Sequence, residues 1–170
     1  MCSSDLSNVE NLNQDYEQIN ALIKDIRFVM VTFITEEGHL HSVPMTTQNT
    51  DFNGVVWFIG AKNSELVKNI ATRQQVNLGY SHISNNDYVS INAIAECVHD
   101  PEILEQLWSP AYEAFFEQGK NDPNIQLIRV VCNGAQYWKG NGKLVTLFKL
   151  AKASITGETE QLGSSQSVKL

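Results

Sequence analysis

The sequence has little of what marks several common functional classes. Its three cysteines, Cys2, Cys97 and Cys132, show no C-x-x-C or C-x-x-H spacing, so neither a disulfide framework nor a zinc site is indicated. Lysine and arginine number 12 against 19 acidic residues, and the net charge of -7 argues against nucleic acid or an anionic membrane as the main partner. No apolar run approaches the length of a membrane span, and the polar N-terminus lacks the apolar core of a signal peptide. Together these absences predict a soluble protein of the cytoplasm.

Familiar catalytic patterns are also missing. The chain has no Ser-His-Asp order, no nucleotide-binding loop and no paired acids at a credible site, so hydrolysis and phosphoryl transfer are not indicated. His39 and His41 alternate on one predicted strand, but no further ligand stands at a suitable spacing, and we expect surface residues and no metal site. Any chemistry would then belong to a bound cofactor.

The length of 170 residues and the hydrophobic content of 42% fit one domain with a single sizeable core. Residues 1–8 are predicted to be a flexible leader and residues 9–150 the folded domain. Residues 151–170 are rich in Ser, Thr, Gly, Gln and Glu. We expect this polar C-terminal tail to be mobile unless a partner subunit orders it.

The apolar residues follow a helical period at first and a strand pattern afterwards. The first predicted elements are a helix over 12–26, a hairpin of strands 28–34 and 39–45 around Gly38, and a strand over 55–59 after Asn53-Gly54. A helix from Ser64 to Ala71 and strands over 76–81 and 88–99 follow. The remaining predicted elements are helices starting at Asp100-Pro101 and Ser109-Pro110, strands on either side of Asn133-Gly134, and a last strand from Leu144 to Leu150. Many short strands with tight turns and a few peripheral helices predict a mainly β protein, with a closed or partly closed antiparallel barrel.

Several short motifs, none specific alone, together resemble a known family in their order and spacing. They are Gly38 followed by His41-Ser42-Val43-Pro44-Met45, then Trp57-Phe58, Asn63-Ser64, Asp100, Leu107-Trp108, Phe116, Gly119, Asp122-Pro123 and Tyr137-Trp138. Over residues 12–150 the chain resembles the general stress proteins of the pyridoxamine 5'-phosphate oxidase-like superfamily. The resemblance implies a six-stranded antiparallel split β-barrel that forms homodimers, with FMN in two symmetric clefts at the dimer interface. It also implies a nicotinamide nucleotide as a reductant.

The resemblance assigns cofactor contacts to residues of two strands and one helix start. Pro44, Met45, Trp57, Phe58, Ile59 and Gly60 stand where the family lines the flavin ring, Ser64 matches a phosphate-contacting serine, and Trp138 stands near the ligand. Other interpretations stay open. Trp57 and Phe58 fit an apolar core with or without a flavin, Ser64 fits a plain N-cap, and Trp138 fits a residue that covers the barrel end.

The cationic part of the family's site is changed in this chain. Val43 replaces an arginine, Leu66 replaces a lysine, and Glu65 adds a negative charge. Gly60 also stands where relatives often have a threonine. Charge-assisted hydrogen bonds contribute about 1.5–3 kcal/mol each, so the loss of two weakens phosphate binding by roughly 3–6 kcal/mol.

The nearby cations that can compensate are Arg27, Lys62 and Lys68. Two functions follow from this pattern. The first is an FMN-binding general stress protein, a weak flavin-dependent oxidoreductase of unknown substrate. The second is a degenerate split barrel without flavin that acts as a non-catalytic ligand-binding or interaction protein.

Overall fold

The structure is a computed structural model that describes residues 2–140 and 164–169, with the side chains of residues 10–140. The elements in chain order are α1 (Cys2–Ile23), β1 (Phe28–Ile34), β2 (Leu40–Thr46), β3 (Val55–Ala61), α2 (Glu65–Ile70), β4 (Gln75–His82), β5 (Asp87–Val98), α3 (Pro101–Leu107), two 3₁₀ helices (Pro110–Ala114 and Gly119–Asn121), β6 (Ile125–Lys139) and β7 (Ser164–Lys169). Among the described residues, no helix combines the length and the apolar character that crossing a membrane requires.

The strands form one antiparallel sheet in the order β2-β1-β4-β5-β6-β3. β3 pairs with the first half of β6, and β7 pairs with its second half. No ladder among the described residues joins β2 to β3, so the sheet curls into a half-barrel that is open between these two strands. This opening is called the split below. The predicted mainly β, six-stranded split barrel is confirmed, with β7 as an additional strand.

The core lies inside the curled sheet because alternate residues of each strand point inward. On β1 the exposed fractions of Val29, Val31 and Phe33 are 0%, 2% and 1%. The apolar sides of α1 and α2 pack against these inward residues, with Ile19 and Ile70 fully buried. A smaller cluster forms outside the sheet, where residues of β3 and β6 meet α3 and the first 3₁₀ helix.

The predicted hairpin at Asn133-Gly134 is wrong. β6 runs without a turn from Ile125 to Lys139, and neither Asn133 nor Gly134 has the positive φ that a two-residue hairpin turn requires. Asn92 pairs with Gly134, and Ala93 pairs with Cys132, so Asn133 is an extra residue in the ladder. The Asn-Gly pair therefore forms a β-bulge, which bends the strand and increases its twist.

Most predicted turns and caps are confirmed. Gly38 and Gly54 have positive φ at the turns assigned to them, and Gly119 also has a positive φ where the second 3₁₀ helix begins. Ser64 and Asp100 cap α2 and α3 through their side chains. Ser109-Pro110 does begin a helix, but that helix is a short 3₁₀ helix.

The two ends of the chain extend the predicted domain. α1 begins at Cys2, so residues 2–8, which the composition assigns to a leader, are helical. At the other end, residues 164–169 of the predicted tail form β7 against β6. The predicted last strand from Leu144 to Leu150 lies outside the described residues.

Candidate functional site

A groove of about 480 Å³ lies at the split and is called the first groove. β2, β3, the start of α2 and the first 3₁₀ helix form its walls. Its lining residues are Phe28, Val43, Pro44, Met45, Thr46, Ile59, Gly60, Ala61, Ser64, Glu65, Leu66, Tyr112, Phe115 and Phe116. Its volume lies in the range of small-molecule and cofactor sites, and its walls are mostly apolar, as is usual for such sites.

Two strand edges border the first groove. Within the described residues, β2 pairs only with β1, and β3 pairs only with β6. A strand that is paired on one side presents every other N–H and C=O group on its free edge. The first groove can therefore offer backbone donors and acceptors to a planar polar ring while its side chains contact the apolar parts of that ring.

The start of α2 contributes three consecutive residues with different roles. The Ser64 hydroxyl oxygen accepts a hydrogen bond from the Val67 N–H at 3.3 Å, which confirms the N-cap and leaves the hydroxyl proton available to a ligand. The Glu65 carboxylate lies 2.8 Å from His41 Nδ1, so this pair connects α2 to β2. Leu66 is only 4% exposed and packs in the core.

The first groove carries a single charge among its lining residues, and that charge is the negative one of Glu65. The predicted compensating cations lie elsewhere. Arg27 lines a neighbouring groove, Lys62 lines a cavity beside α3, and Lys68 lines a shallow cleft on the far side of Glu65.

The structure brings together half of the predicted cofactor contacts. Pro44, Met45, Ile59, Gly60 and Ser64 all line the first groove. The remaining aromatic candidates are placed away from it. Phe58 is 1% exposed inside the core, Trp57 packs against the smaller apolar cluster, and Trp138 lies on β6 opposite Tyr88.

Aromatic residues of β1 and of the first 3₁₀ helix were missed from the sequence as parts of the site. Phe28 is 56% exposed and Phe115 is 76% exposed at the groove, whereas Phe116 is buried beside them. Burial raises the pKa of the Tyr112 hydroxyl, although a hydrogen bond from Gln48 Nε2 opposes the shift. Two adjacent phenylalanines, Phe115 and Phe116, indicate apolar packing in the sequence, but such a pair gives no direction for either ring.

A second groove of about 420 Å³ continues from the first and shares the wall formed by Phe28, Thr46, Tyr112 and Phe115. Its other lining residues are Arg27, Thr47, Gln48, Asn49, Thr50, Gln106, Leu107, Ser109 and Ala111. Hydroxyl and amide side chains are the most frequent among these residues, and Arg27 is the one charged residue in the lining. The second groove is therefore polar and cationic where the first is apolar and acidic.

The part of the chain that the structure describes holds no group of three or more metal-ligating side chains. It also shows Cys97 and Cys132 as free thiols. Burial raises the pKa of both thiols, that of Cys132 to about 12, so neither is an activated nucleophile.

Comparison with known proteins places this geometry in context. A family model described as pyridoxamine 5'-phosphate oxidase like matches residues 14–161. Crystal structures of three bacterial general stress proteins are similar to this chain. General stress protein 26 from Jannaschia sp. CCS1 is 27% identical, with 95% of this chain and 99% of that chain covered and a TM-score of 0.69.

The other two structures come from Xanthomonas. A general stress protein of Xanthomonas citri, named for binding FMN or FAD, is 30% identical over 73% of this chain and 87% of its own, with a TM-score of 0.64. A general stress family protein of Xanthomonas campestris pv. campestris is 28% identical over 77% of this chain and 90% of its own, with a TM-score of 0.66. No curated protein matches this chain significantly.

Proposed function

The chain belongs to the pyridoxamine 5'-phosphate oxidase-like family, and from that premise we propose that it binds a flavin, specifically FMN, with the ring in the first groove. The observation that carries this proposal is the combination of two free strand edges with apolar walls at the split. Pro44 and Met45 on β2 face Ile59 and Gly60 on β3 across this groove. The relative from Xanthomonas citri that is named for binding FMN or FAD supports the same ligand class.

The first groove fits the ring of a flavin and does not fit its phosphate. A phosphate dianion needs charge-assisted donors to replace its hydration, and Glu65, as the one charged residue in the lining, repels it. The Ser64 hydroxyl can supply one neutral donor. Within this chain, a strong preference for FMN over riboflavin must therefore come from charged donors outside the first groove.

We propose weak flavin-dependent oxidoreductase activity, with a nicotinamide nucleotide as the reductant. A bound flavin supplies reversible two-electron chemistry. The chain's own contribution is to hold the ring between β2 and β3 and to cover part of it with aromatic side chains. The lining has no histidine, lysine or cysteine to move a proton, and burial keeps the Tyr112 hydroxyl protonated. This scarcity of acid–base groups supports slow turnover.

A homodimer is the proposed assembly because the outward face of the β1–β2 hairpin is uncharged and mostly apolar. The outer face consists of the cross-strand pairs Phe28/Thr46, Met30/Pro44, Thr32/Ser42 and Ile34/Leu40, whose side chains share one side of the sheet. Leu40 is 77% exposed and Met30 is 44% exposed. An exposed apolar surface of this kind is typical of an interface. Since Phe28, Pro44 and Thr46 also line the first groove, a partner on this face would border the ligand.

The second candidate function is a flavin-free binding or interaction protein. The observation that favours it is Glu65, an acid at the position where a flavin phosphate would need a cation. A neutral apolar ligand, or a segment of another protein, would fit the first groove without that conflict.

We also propose a cytoplasmic location. Cys97 and Cys132 are free thiols in the described part of the chain, as is usual in a reducing compartment. Cell fractionation tests this proposal directly.

Riboflavin titration under fluorescence detection tests the proposed function, because riboflavin carries the ring without the phosphate. We expect binding, with an affinity that falls about threefold to tenfold in Phe115→Ala, since an aromatic contact contributes about 0.5–1.5 kcal/mol. Ile83→Ala is the matched control, because Ile83 is 77% exposed, about the same as Phe115 at 76%, and lies in the β4–β5 turn. If neither riboflavin nor FMN binds the wild-type protein, the flavin-free candidate replaces the first.

A further inference from the structure

The second groove contains a cation that has no carboxylate partner in the described part of the chain. Arg27 forms no ion pair there, and its guanidinium donates no hydrogen bond to another described residue. Arg27 shares the lack of an ion pair with the other lysines and arginines of the described residues apart from Lys120 and Arg129, but it is the one of them that lines the second groove. The donors of Arg27 are thus free for a ligand.

The Arg27 side chain contacts an aromatic ring. Its Cζ lies 5.4 Å from the centroid of the Phe28 ring. A guanidinium that contacts an aromatic ring through its face keeps its in-plane N–H groups free, and this planar fork matches the oxygens of a phosphate. Phe28 belongs to both grooves, so the cation lies next to the proposed ring site.

The backbone around Arg27 is fixed as well. The Arg27 carbonyl accepts hydrogen bonds from the Thr47 N–H at 3.0 Å and from the Thr47 hydroxyl at 3.1 Å. The same hydroxyl lies 2.7 Å from the Ile26 carbonyl oxygen. Across the groove, Gln48 donates to the Tyr112 hydroxyl and ties the β2–β3 loop to the first 3₁₀ helix. The second groove is therefore built from elements that are held together before any ligand arrives.

We propose that the second groove binds the phosphate group of a phosphorylated ligand, with Arg27 as its charged donor and the neighbouring hydroxyl and amide groups as neutral donors. This proposal rests on the proposed function to the extent that the ligand's ring lies in or beside the first groove. The phosphate comes either from the bound flavin itself or from a second molecule such as a nicotinamide nucleotide. Both sources present the same phosphate ester chemistry to Arg27.

The test compares Arg27→Gln with wild type in three titrations: riboflavin, FMN, and NADP⁺ in the presence of saturating riboflavin. Riboflavin and FMN differ only by the phosphate, so their comparison isolates that group. We expect Arg27→Gln to leave riboflavin binding unchanged and to weaken one phosphorylated ligand by about tenfold to hundredfold. Lys24→Gln removes the same charge three residues away on an exposed side chain and is expected to change neither affinity by more than about twofold.

Each outcome of these titrations decides a point. Weaker FMN binding identifies the flavin's own phosphate as the ligand group, and weaker NADP⁺ binding with unchanged FMN binding identifies a second molecule. Equal effects of Arg27→Gln and Lys24→Gln, or no effect on either ligand, would overturn the proposal. Arg27→Lys keeps the charge but loses the planar N–H donors of the guanidinium, so we expect an affinity between those of wild type and Arg27→Gln. This variant replaces Arg27→Gln in the test if Arg27→Gln does not fold.

The proposed function and this proposal fail in different ways. If riboflavin does not bind the wild-type protein, the ring site is wrong, and NADP⁺ titration without riboflavin still tests Arg27. If riboflavin binds and Arg27→Gln changes nothing, the ring site stands and the phosphate site is wrong.

Discussion

The two faces of β1 have opposite environments although their residues alternate along one strand. Val29, Val31 and Phe33 are almost completely buried inside the curled sheet, whereas Phe28 and Met30 on the other face are 56% and 44% exposed. Apolar residues occupy both faces, so composition alone does not distinguish them. The inner face stabilises the barrel, and the outer face leads to the two grooves and to the proposed dimer contact.

This difference separates stability from binding in the effects expected of mutations. A change on the inner face should lower the free energy of unfolding. It should not favour the binding of one ligand over another. A change on the outer face should leave that free energy nearly unchanged and alter dimerisation or ligand affinity. Four experiments test this separation, beginning with the largest expected effect.

The largest effect is expected from Phe33→Ala on the inner face. Phe33 is 1% exposed, and removal of its ring leaves a cavity that the barrel cannot fill, so we expect a loss of about 3–5 kcal/mol in the free energy of unfolding. Phe28→Ala removes the same side chain from the outer face of the same strand and should cost less than about 1 kcal/mol in the monomer. Urea unfolding at low protein concentration measures both. Equal losses of unfolding free energy in the two variants would show that both faces of β1 contribute equally to stability.

The next effect is expected at the proposed interface. Met30→Glu places a charge on the outer face, and in a two-fold dimer it does so twice, so we expect the dimer dissociation constant to rise about hundredfold or more. Sedimentation equilibrium measures this constant. Circular dichroism should show the fold unchanged, because Met30 does not contribute to the core.

Ile83→Glu is the control for that experiment. Ile83 is 77% exposed in the turn between β4 and β5, away from the outer face. The same substitution there should leave the dissociation constant unchanged. A wild-type monomer at micromolar concentration, or equal weakening by both variants, would contradict the proposed interface.

A smaller effect is expected from alkaline pH, which should lower the free energy of unfolding through a group inside the barrel. Burial raises the pKa of the Cys132 thiol to about 12, whereas an unfolded cysteine has a pKa of about 8.5. The folded state therefore holds this proton more tightly, so the stabilisation is complete below about pH 8.5 and is lost as the pH rises toward 12. We expect a loss of about 1–2 kcal/mol between pH 8 and pH 10, measured by urea unfolding.

Two cysteine variants test the origin of that pH dependence. Cys132→Ala should remove most of it. Cys97→Ala, at an exposed thiol whose pKa burial also raises, should remove less. Burial raises the pKa of Tyr80 as well, and its contribution appears only above about pH 10. If Cys132→Ala keeps the full slope below pH 10, another group is responsible.

The barrel could be predicted from the sequence because its turns and helix starts are each signalled by residues that are neighbours in the chain. Gly38 and Gly54 mark turns, Ser64 and Asp100 mark helix starts, and each signal depends on a few neighbouring residues. The Asn133-Gly134 pair misled because the same dipeptide suits a turn and a bulge. Only the pairing of β6 with β5, more than thirty residues away, decides between them.

The site was less predictable because its parts meet only across the split. Four residues of β2 and β3 that line the first groove were named from the family resemblance, and they are Pro44, Met45, Ile59 and Gly60. Phe28 and Phe115 were not, because no sequence pattern states which way an exposed ring points. The positions of the cationic side chains were equally hard to predict. Arg27, Lys62 and Lys68 are all candidates by proximity in sequence, yet Arg27 alone of the three lies in a groove that shares several wall residues with the proposed ring site.

The smallest effect is expected from Glu65→Lys, which would give the first groove the cation it lacks. The family resemblance implies a lysine at the position of Leu66, but Leu66 is 4% exposed in the core, so a lysine there would have to be buried. Glu65 lines the groove with an exposed side chain, and its reversal removes a repulsion and adds a donor. We expect FMN affinity to rise about tenfold relative to riboflavin, measured by paired fluorescence titrations. Glu102→Lys on α3 makes the same change in net charge at a residue that lines neither groove and should not alter the ratio. An unchanged ratio in Glu65→Lys would mean that the flavin phosphate does not approach α2, and the second groove would then be the remaining place for it.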